Sequence, residues 1–177
     1  MNEFATLLEP GTVRLERMLP ASIDTVWLYL TDSEKRGTWL GRGEMELHLG
    51  GKVEHLFDHA TLSATPEDVP EKYKKYDCTT ELLGTITAID PPRLLAYTWN
   101  EGEAPDSEVM FELEPKGDMT LLTITHRKLP NRETIIGVSA GWHVHVGIMI
   151  QVLEGKNPPP FWGAFMPMEA EYEKRLP

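Results

Sequence analysis

Apolar and polar residues alternate in several short segments of the chain, and this pattern predicts β-strands. The alternation begins at residues 12–19, where Val13 and Leu15 are interleaved with charged side chains, as expected of a strand with one buried face. Four further segments of this kind lie at about residues 79–89, 93–99, 107–114 and 119–126. Because short turn sequences separate them, we expect consecutive strands to pair as antiparallel neighbours.

The first strand is followed by two short predicted helices. Apolar residues between positions 23 and 30 recur at the spacing of one helix face, and Ser22 precedes them as a candidate N-cap. Asp32 is a candidate cap for a second helix that extends to Trp39. Glycines then break the helical pattern.

Residues 45–57 predict a β-hairpin around the adjacent glycines Gly50 and Gly51. Of the possible registers, the one with a three-residue loop pairs Met45 with Phe57 and places the apolar side chains on one face. Since a slip of one residue would exchange the two faces, we expect this register to be preferred. It puts His55 on the inner face of the sheet.

The last apolar segment, residues 134–153, predicts one long helix despite its three glycines. Gly137, Gly141 and Gly147 each destabilise a helix by roughly 1 kcal/mol relative to alanine, so this helix requires packing partners. It is apolar nearly all round, as expected of a helix covered on two sides. We expect the sheet on one side and, on the other, either the aromatic residues Phe161, Trp162 and Phe165 or a second subunit.

Composition sets limits on the function. A chain of 177 residues has the size of one domain, and its formal net charge of −11 disfavours binding to nucleic-acid backbones. The single cysteine, Cys78, cannot form an internal disulfide, and the amino-terminal residues do not resemble a signal peptide. No segment is expected to span or insert into a membrane. We therefore expect a cytoplasmic protein.

Four sequence segments follow one another in a recognisable order: residues 46–53, 84–99, 111–126 and 141–142. Together they resemble the START-like (SRPBCC) superfamily, in the branch named for activators of the ninety-kilodalton heat-shock chaperone's ATPase. The resemblance implies an α+β helix-grip fold, in which a curved antiparallel sheet packs around a long C-terminal helix and leaves a hydrophobic cavity between them. We place this domain at residues 10–156.

Two segments depart from the family pattern. Residues 58–76 are longer than usual, carry many charges and two prolines, and show no period, so we expect a mobile loop and a candidate lid. Residues 157–177 form an additional aromatic and proline-rich tail, which we expect to pack on the domain or on a partner subunit. Both segments are expected to affect access to the cavity.

Candidate cavity residues lie on the inner faces of the predicted strands and on the sheet-facing side of the long helix. They are Trp39, His55, Phe57, Tyr97, Trp99, Phe111, His126, Trp142, His145, Val146 and Met149. His55 and His126 are the favoured polar contacts to a ligand, although either also fits a structural hydrogen bond to a neighbouring carbonyl. His145 is explained most simply as a core histidine with its partners inside the protein.

Motifs for catalysis and metal binding are weak. The Gly-x-Ser-x-Gly pattern at residues 137–141 lacks the strand–turn–helix context and the later histidine that a hydrolase needs, so we reject it. His143 and His145 point in different directions on a helix and do not form a metal site by themselves. The sequence indicates no metal and no cofactor.

Three functions remain open at this point. The first is non-catalytic binding of a small hydrophobic or aromatic molecule in the cavity, by a monomer or a homodimer. The second is enzymatic, a cyclase, hydratase or hydrolase that uses cavity histidines. The third is a co-chaperone-like role as an activator of the heat-shock ATPase. Because no nucleophile–base spacing stands out, the non-enzymatic function is favoured.

Overall fold

The alternating segments form a seven-stranded antiparallel sheet in the computed structural model, which describes residues 2–101 and 104–177. The strands are β1 (Thr6–Glu9), β2 (Thr12–Leu19), β3 (Lys52–Phe57), β4 (Thr80–Asp90), β5 (Leu94–Glu101), β6 (Ala104–Lys116) and β7 (Met119–Arg127). Their order across the curved sheet is β1-β2-β7-β6-β5-β4-β3. The α+β helix-grip fold expected from the sequence is confirmed. The short edge strand β1 was not predicted.

Two short helices follow β2, as the sequence predicts. They are α1 (Ile23–Thr31) and α2 (Ser33–Gly37). The Ser22 hydroxyl accepts a hydrogen bond from the Thr25 amide, and the Asp32 carboxylate accepts one from the Lys35 amide. The second helix ends two residues before Trp39, whose indole N–H donates to the Tyr29 carbonyl over 2.8 Å and so anchors the ring in the core.

The long helix is also confirmed, as α3 (Arg132–Leu153). Its N-cap is Asn131, whose side-chain oxygen accepts from the Thr134 amide over 2.9 Å. The sheet lies on one side of α3, and a fourth helix, α4 (Phe161–Arg175), lies on the other. The aromatic residues at the start of α4 are buried, so α3 is covered on two sides within a single chain.

By length and composition alone, α3 could cross a membrane, contrary to the expectation that no segment could. In this fold α3 is the core helix, packed between the sheet and α4. Its apolar character is what such a two-sided position requires.

The predicted hairpin at residues 45–57 is wrong in register and in extent. Residues 46–51 form a wide loop rather than a strand, and Leu49 is 70% exposed. Met45 forms an isolated antiparallel bridge with Val53 and does not pair with Phe57. The register is shifted by four residues, and because four is even, the inward face of β3 is the one predicted.

Residues 58–76, predicted as a loop without regular structure, instead contain short helices and contact α4 and the residues just before it. They contain two short 3₁₀ helices, His59–Leu62 and Glu71–Tyr76. The Ser63 hydroxyl donates to the Pro158 carbonyl over 2.7 Å, and the Ala64 amide donates to the Asn157 side chain. These partners lie more than ninety residues away in sequence, which is why local pattern did not reveal them.

Candidate ligand cavity

A cavity of about 480 Å³ lies between the sheet, the first half of α3, the segment 58–76 and α4. This volume falls in the range of small-molecule binding sites. Trp99, Ser107 and His126 reach it from the ends of three neighbouring strands, and Trp142 reaches it from α3. The cavity therefore occupies the junction at which a helix-grip fold is expected to hold a ligand.

Five of the eleven candidate residues border this cavity. They are Phe57, Trp99, His126, Trp142 and His145. The other six are fully buried in the core behind the cavity wall and do not border it: Trp39, His55, Tyr97, Phe111, Val146 and Met149. Alternation along a strand predicts which face a side chain occupies, but it does not predict how deep in that face the side chain lies.

Aromatic rings form most of the wall at the sheet side. The Trp142 ring meets Trp99 edge-on, with centroids 5.1 Å apart, and meets Phe111 at a similar angle over 5.5 Å. Edge-to-face contacts of this kind orient large rings and favour an apolar surface with fixed shape. The wall is therefore suited to a flat, apolar guest.

His126 is held by two hydrogen bonds that fix its tautomer. The Trp142 indole N–H donates to Nδ1 over 3.1 Å, so the proton of the imidazole is on Nε2. That nitrogen donates to the Ser107 hydroxyl over 3.0 Å, and the hydroxyl donates to the Trp99 carbonyl over 2.6 Å. Burial lowers the pKa of His126 to about 3. His126 thus positions Trp142 and has no free nitrogen for acid–base chemistry.

His55 lies behind the wall, where its Nε2 is 3.0 Å from the Tyr97 hydroxyl. Its Nδ1 makes no well-formed hydrogen bond within the described chain, although the Gly41 carbonyl lies near enough to favour the protonated ring. Burial, and then the charge of Arg36, hold the pKa of His55 well below its usual range. The ring is neutral and does not reach the cavity.

The outer side of the cavity is bordered by a cover, which we define as residues 58–76 together with α4. Glu67 joins its two parts, because its carboxylate accepts from the Trp162 amide over 2.6 Å and from the Gly163 amide over 2.8 Å. A carboxylate at this place satisfies the free amides at the start of α4 and interacts favourably with the helix dipole. The sequence offered no signal for this contact.

Tyr73 is the second link within the cover. Its ring stacks on Trp162, with centroids 5.0 Å apart and planes 19° from parallel, and its hydroxyl donates to the buried carboxylate of Glu169. Lys72 lies 3.1 Å from the same carboxylate. Burial, followed by the contact with Glu169, raises the pKa of Tyr73 to about 12. The hydroxyl therefore remains a proton donor across the physiological range.

We expect Glu67→Ala to loosen the start of α4. Loss of two hydrogen bonds to a helix N-terminus should lower the free energy of unfolding by about 1–2 kcal/mol. Hydrogen exchange of the amides at residues 161–165 should accelerate at the same time. Glu71→Ala is the matched control, because Glu71 is exposed in the same segment and forms no hydrogen bond with the described residues of α4. Unchanged exchange at the start of α4 in Glu67→Ala would contradict the assigned cap.

Known proteins share this sequence pattern and fold. A model of the family described as "Activator of Hsp90 ATPase homolog 1-like protein" matches residues 20–154. The solution structure of a Bordetella parapertussis protein is 40% identical, with a TM-score of 0.80, over 99% of this chain and 91% of that one.

More distant structures share the fold. CalU16 from Micromonospora echinospora is 19% identical, with a TM-score of 0.66, over 97% of this chain and 93% of that one. The Aha1 dimer from Colwellia psychrerythraea is 14% identical, with a TM-score of 0.57, over 81% of this chain and 96% of that one. No curated protein matches the sequence.

Proposed function

We propose that this chain, which belongs to the family of Activator of Hsp90 ATPase homolog 1-like proteins, binds a small hydrophobic or aromatic molecule in its cavity without transforming it. Membership confirms the family resemblance of the sequence, and family and fold together support a ligand-binding or co-chaperone-like domain. The volume and aromatic wall of the cavity support the choice of a small apolar ligand.

The observation that carries this proposal is a pair of glycines one helical turn apart. Gly137 and Gly141 both border the cavity, and a Cβ built on either would meet no other atom within 4 Å. Alanine would therefore fit at both positions and would stabilise α3 by roughly 1 kcal/mol each. Glycine leaves this room unfilled, which supports the presence of a guest molecule against this part of the helix.

The side chains that border the cavity also support binding rather than catalysis. His126, which the sequence favoured as a polar contact to a ligand, has both nitrogens engaged by Trp142 and Ser107. A general base needs a nitrogen within reach of the substrate proton. Activation of the Hsp90 ATPase is the alternative function that the family description suggests. We further propose a cytoplasmic location for the protein, and a homodimer as a state to be tested by light scattering.

Native mass spectrometry of freshly purified protein tests the proposal directly. We expect a retained small molecule, or stoichiometric uptake of naphthalene as a probe, with quenching of tryptophan fluorescence because Trp99 and Trp142 border the cavity. An empty protein that takes up no aromatic probe and instead stimulates the Hsp90 ATPase would replace this function with the alternative one.

Alanine substitutions of the helix glycines should separate stability from binding. In the double variant Gly137→Ala/Gly141→Ala we expect the free energy of unfolding to rise by about 1–2 kcal/mol, while naphthalene binds about tenfold more weakly because the new methyl groups occupy its space. Chemical denaturation and fluorescence titration measure the two effects.

Gly147→Ala is the control for this pair. Its Cβ would also meet open space, but Gly147 does not border the cavity. It should therefore stabilise α3 without any change in naphthalene affinity. Equal loss of affinity in the control and in the double variant would show that the effect comes from the helix rather than from the cavity.

A further inference from the structure

His145 presents an unused hydrogen-bond acceptor to the cavity. Its Nδ1 lies 2.7 Å from the Trp39 carbonyl, and because a carbonyl can only accept, the proton of the neutral ring is on Nδ1. The other nitrogen, Nε2, then carries a lone pair. Within residues 2–101 and 104–177, no protein atom donates to it. His145 is only 6% exposed, and it borders the cavity.

We propose that Nε2 of His145 accepts a hydrogen bond from the ligand, so that the cavity selects aromatic molecules that carry a hydroxyl or N–H group. This inference rests on the proposed function, because it concerns a ligand held in the same cavity. The sequence favoured His55 and His126 as polar contacts, whereas the geometry points to the histidine that had been explained as a core residue.

The His145 ring remains an acceptor at physiological pH because it stays neutral. Burial, followed by the neighbouring His59, lowers its pKa to about 3, and the bond to Trp39 only partly opposes them. Burial also lowers the pKa of His59 to about 4. A protonated imidazole would donate from both nitrogens, but neither ring is protonated near neutral pH.

The other buried polar side chains that border the cavity are already paired within the protein. His126 and Ser107 bond to each other and to the tryptophans beside them. Glu169 is paired with Tyr73 and Lys72. These groups do not require a hydrogen-bond partner from a ligand. Nε2 of His145 is therefore the deep polar atom at which a ligand can gain a new hydrogen bond.

The surroundings of His145 define the rest of the ligand. The ring centroid of Phe161 lies 4.8 Å from that of His145, and His59 lies 5.8 Å away and 4.2 Å from Phe161. These aromatic faces favour a flat ring next to the hydrogen-bonding group. A phenol satisfies both requirements, because its ring packs on the aromatic wall while its hydroxyl donates to Nε2.

The cavity should discriminate against ligands that have no hydrogen-bond donor. A methyl ether of the same phenol has a similar ring but no proton to donate, so it removes water from Nε2 and leaves a buried acceptor unpaired. This cost of an unpaired acceptor lowers the affinity of the ether but not that of the phenol. Affinity should therefore favour the phenol by about fivefold to tenfold, the effect of one hydrogen bond in a buried site.

The test compares 2-naphthol with 2-methoxynaphthalene by fluorescence titration of the full chain at neutral pH. In the wild type we expect 2-naphthol to bind about fivefold to tenfold more tightly. In His145→Asn the side-chain amide takes the place of Nδ1 and keeps the donor to the Trp39 carbonyl, but Nε2 is lost. The preference should fall to within about twofold in this variant.

His143→Asn is the matched control. It makes the same chemical change two residues earlier on α3, at a histidine that bonds to Arg17 and Tyr172 and does not border the cavity. This variant should keep the full preference for 2-naphthol. Thermal unfolding of both variants shows whether they are folded at the titration temperature.

Each other outcome has a definite meaning. Equal affinity of the wild type for the two compounds, or an unchanged preference in His145→Asn, would overturn the His145 assignment while leaving ligand binding intact. If neither compound binds and no small molecule is retained on purification, the proposed function itself fails. Loss of the preference in both variants would assign the effect to α3 as a whole and would also overturn the His145 site.

Discussion

Acidification from pH 7 to pH 5 is expected to lower the free energy of unfolding of this protein substantially. His55, His126 and His145 are buried and neutral in the folded state. Burial lowers the pKa of His126 and of His145 to about 3 and holds the pKa of His55 well below its usual range. In the unfolded chain each ring titrates near its ordinary pKa of about 6.5.

The sign of the effect follows from proton binding. Between about pH 3 and pH 6.5 the unfolded chain binds more protons than the folded one, so the free energy of unfolding falls as the pH falls. At pH 5 each fully buried histidine contributes a loss of about 2 kcal/mol, which gives about 6 kcal/mol for the three. Domains of this size are stable by only about 5–15 kcal/mol.

Urea unfolding followed by tryptophan fluorescence at pH 7, 6 and 5 measures this loss. His145→Asn should reduce the pH dependence, because one proton-binding site of the unfolded chain is removed. His48→Asn is the control, since it makes the same substitution at an exposed histidine. A free energy of unfolding that is constant from pH 7 to pH 5 would show that the three rings are not buried in neutral form.

Arg36→Met is expected to be the most destabilising single substitution among those considered. Arg36 is fully buried, and its guanidinium donates to backbone carbonyls of α1, of the segment before β3 and of β3 itself: Leu30, Thr31, Gly41, Gly43 and Glu54. Burial lowers its pKa. No carboxylate within the described residues forms an ion pair with it, although Asp32, Glu44 and Glu54 are near enough to favour its charge.

Removal of this group leaves several buried carbonyls without donors. We expect Arg36→Met to lower the free energy of unfolding by about 3–5 kcal/mol, measured by urea denaturation at pH 7. Arg42→Met is the matched control, because Arg42 is largely exposed and makes one long ion pair with Glu34 over 3.4 Å. Its effect should stay below about 1 kcal/mol. A similar small effect for Arg36→Met would contradict the bonding described here.

Arg36 also explains why the register of residues 45–57 was not predictable. The sequence pattern correctly placed Val53, His55 and Phe57 on the inner face of β3, because alternation determines faces. It does not determine which residue lies opposite. The bonds from Arg36 to the carbonyls of Gly43 and Glu54 hold these segments side by side, and a contact from a distant helix leaves no trace in a local pattern.

The candidate site, like the hairpin, was predictable from the sequence only in part. Large residues on inner faces were identified, and Trp99 and Trp142 do border the cavity. Tyr97 and Phe111 have the same pattern but lie deeper, since depth depends on how the sheet curves. The roles of the histidines could not be predicted from the sequence, because His126 and His145 differ only in the hydrogen-bond partners of their ring nitrogens.

The contact between Glu67 and the start of α4 spans 95 residues, and this has a consequence for biosynthesis. A growing chain can complete the sheet and much of its core before residues 161–175 have been made. The carboxylate of Glu67 has no amide donors of α4 to bond with until Trp162 and Gly163 have been synthesised. The pocket of a nascent chain therefore lacks the wall that Phe161, Trp162 and Phe165 provide until α4 has been synthesised.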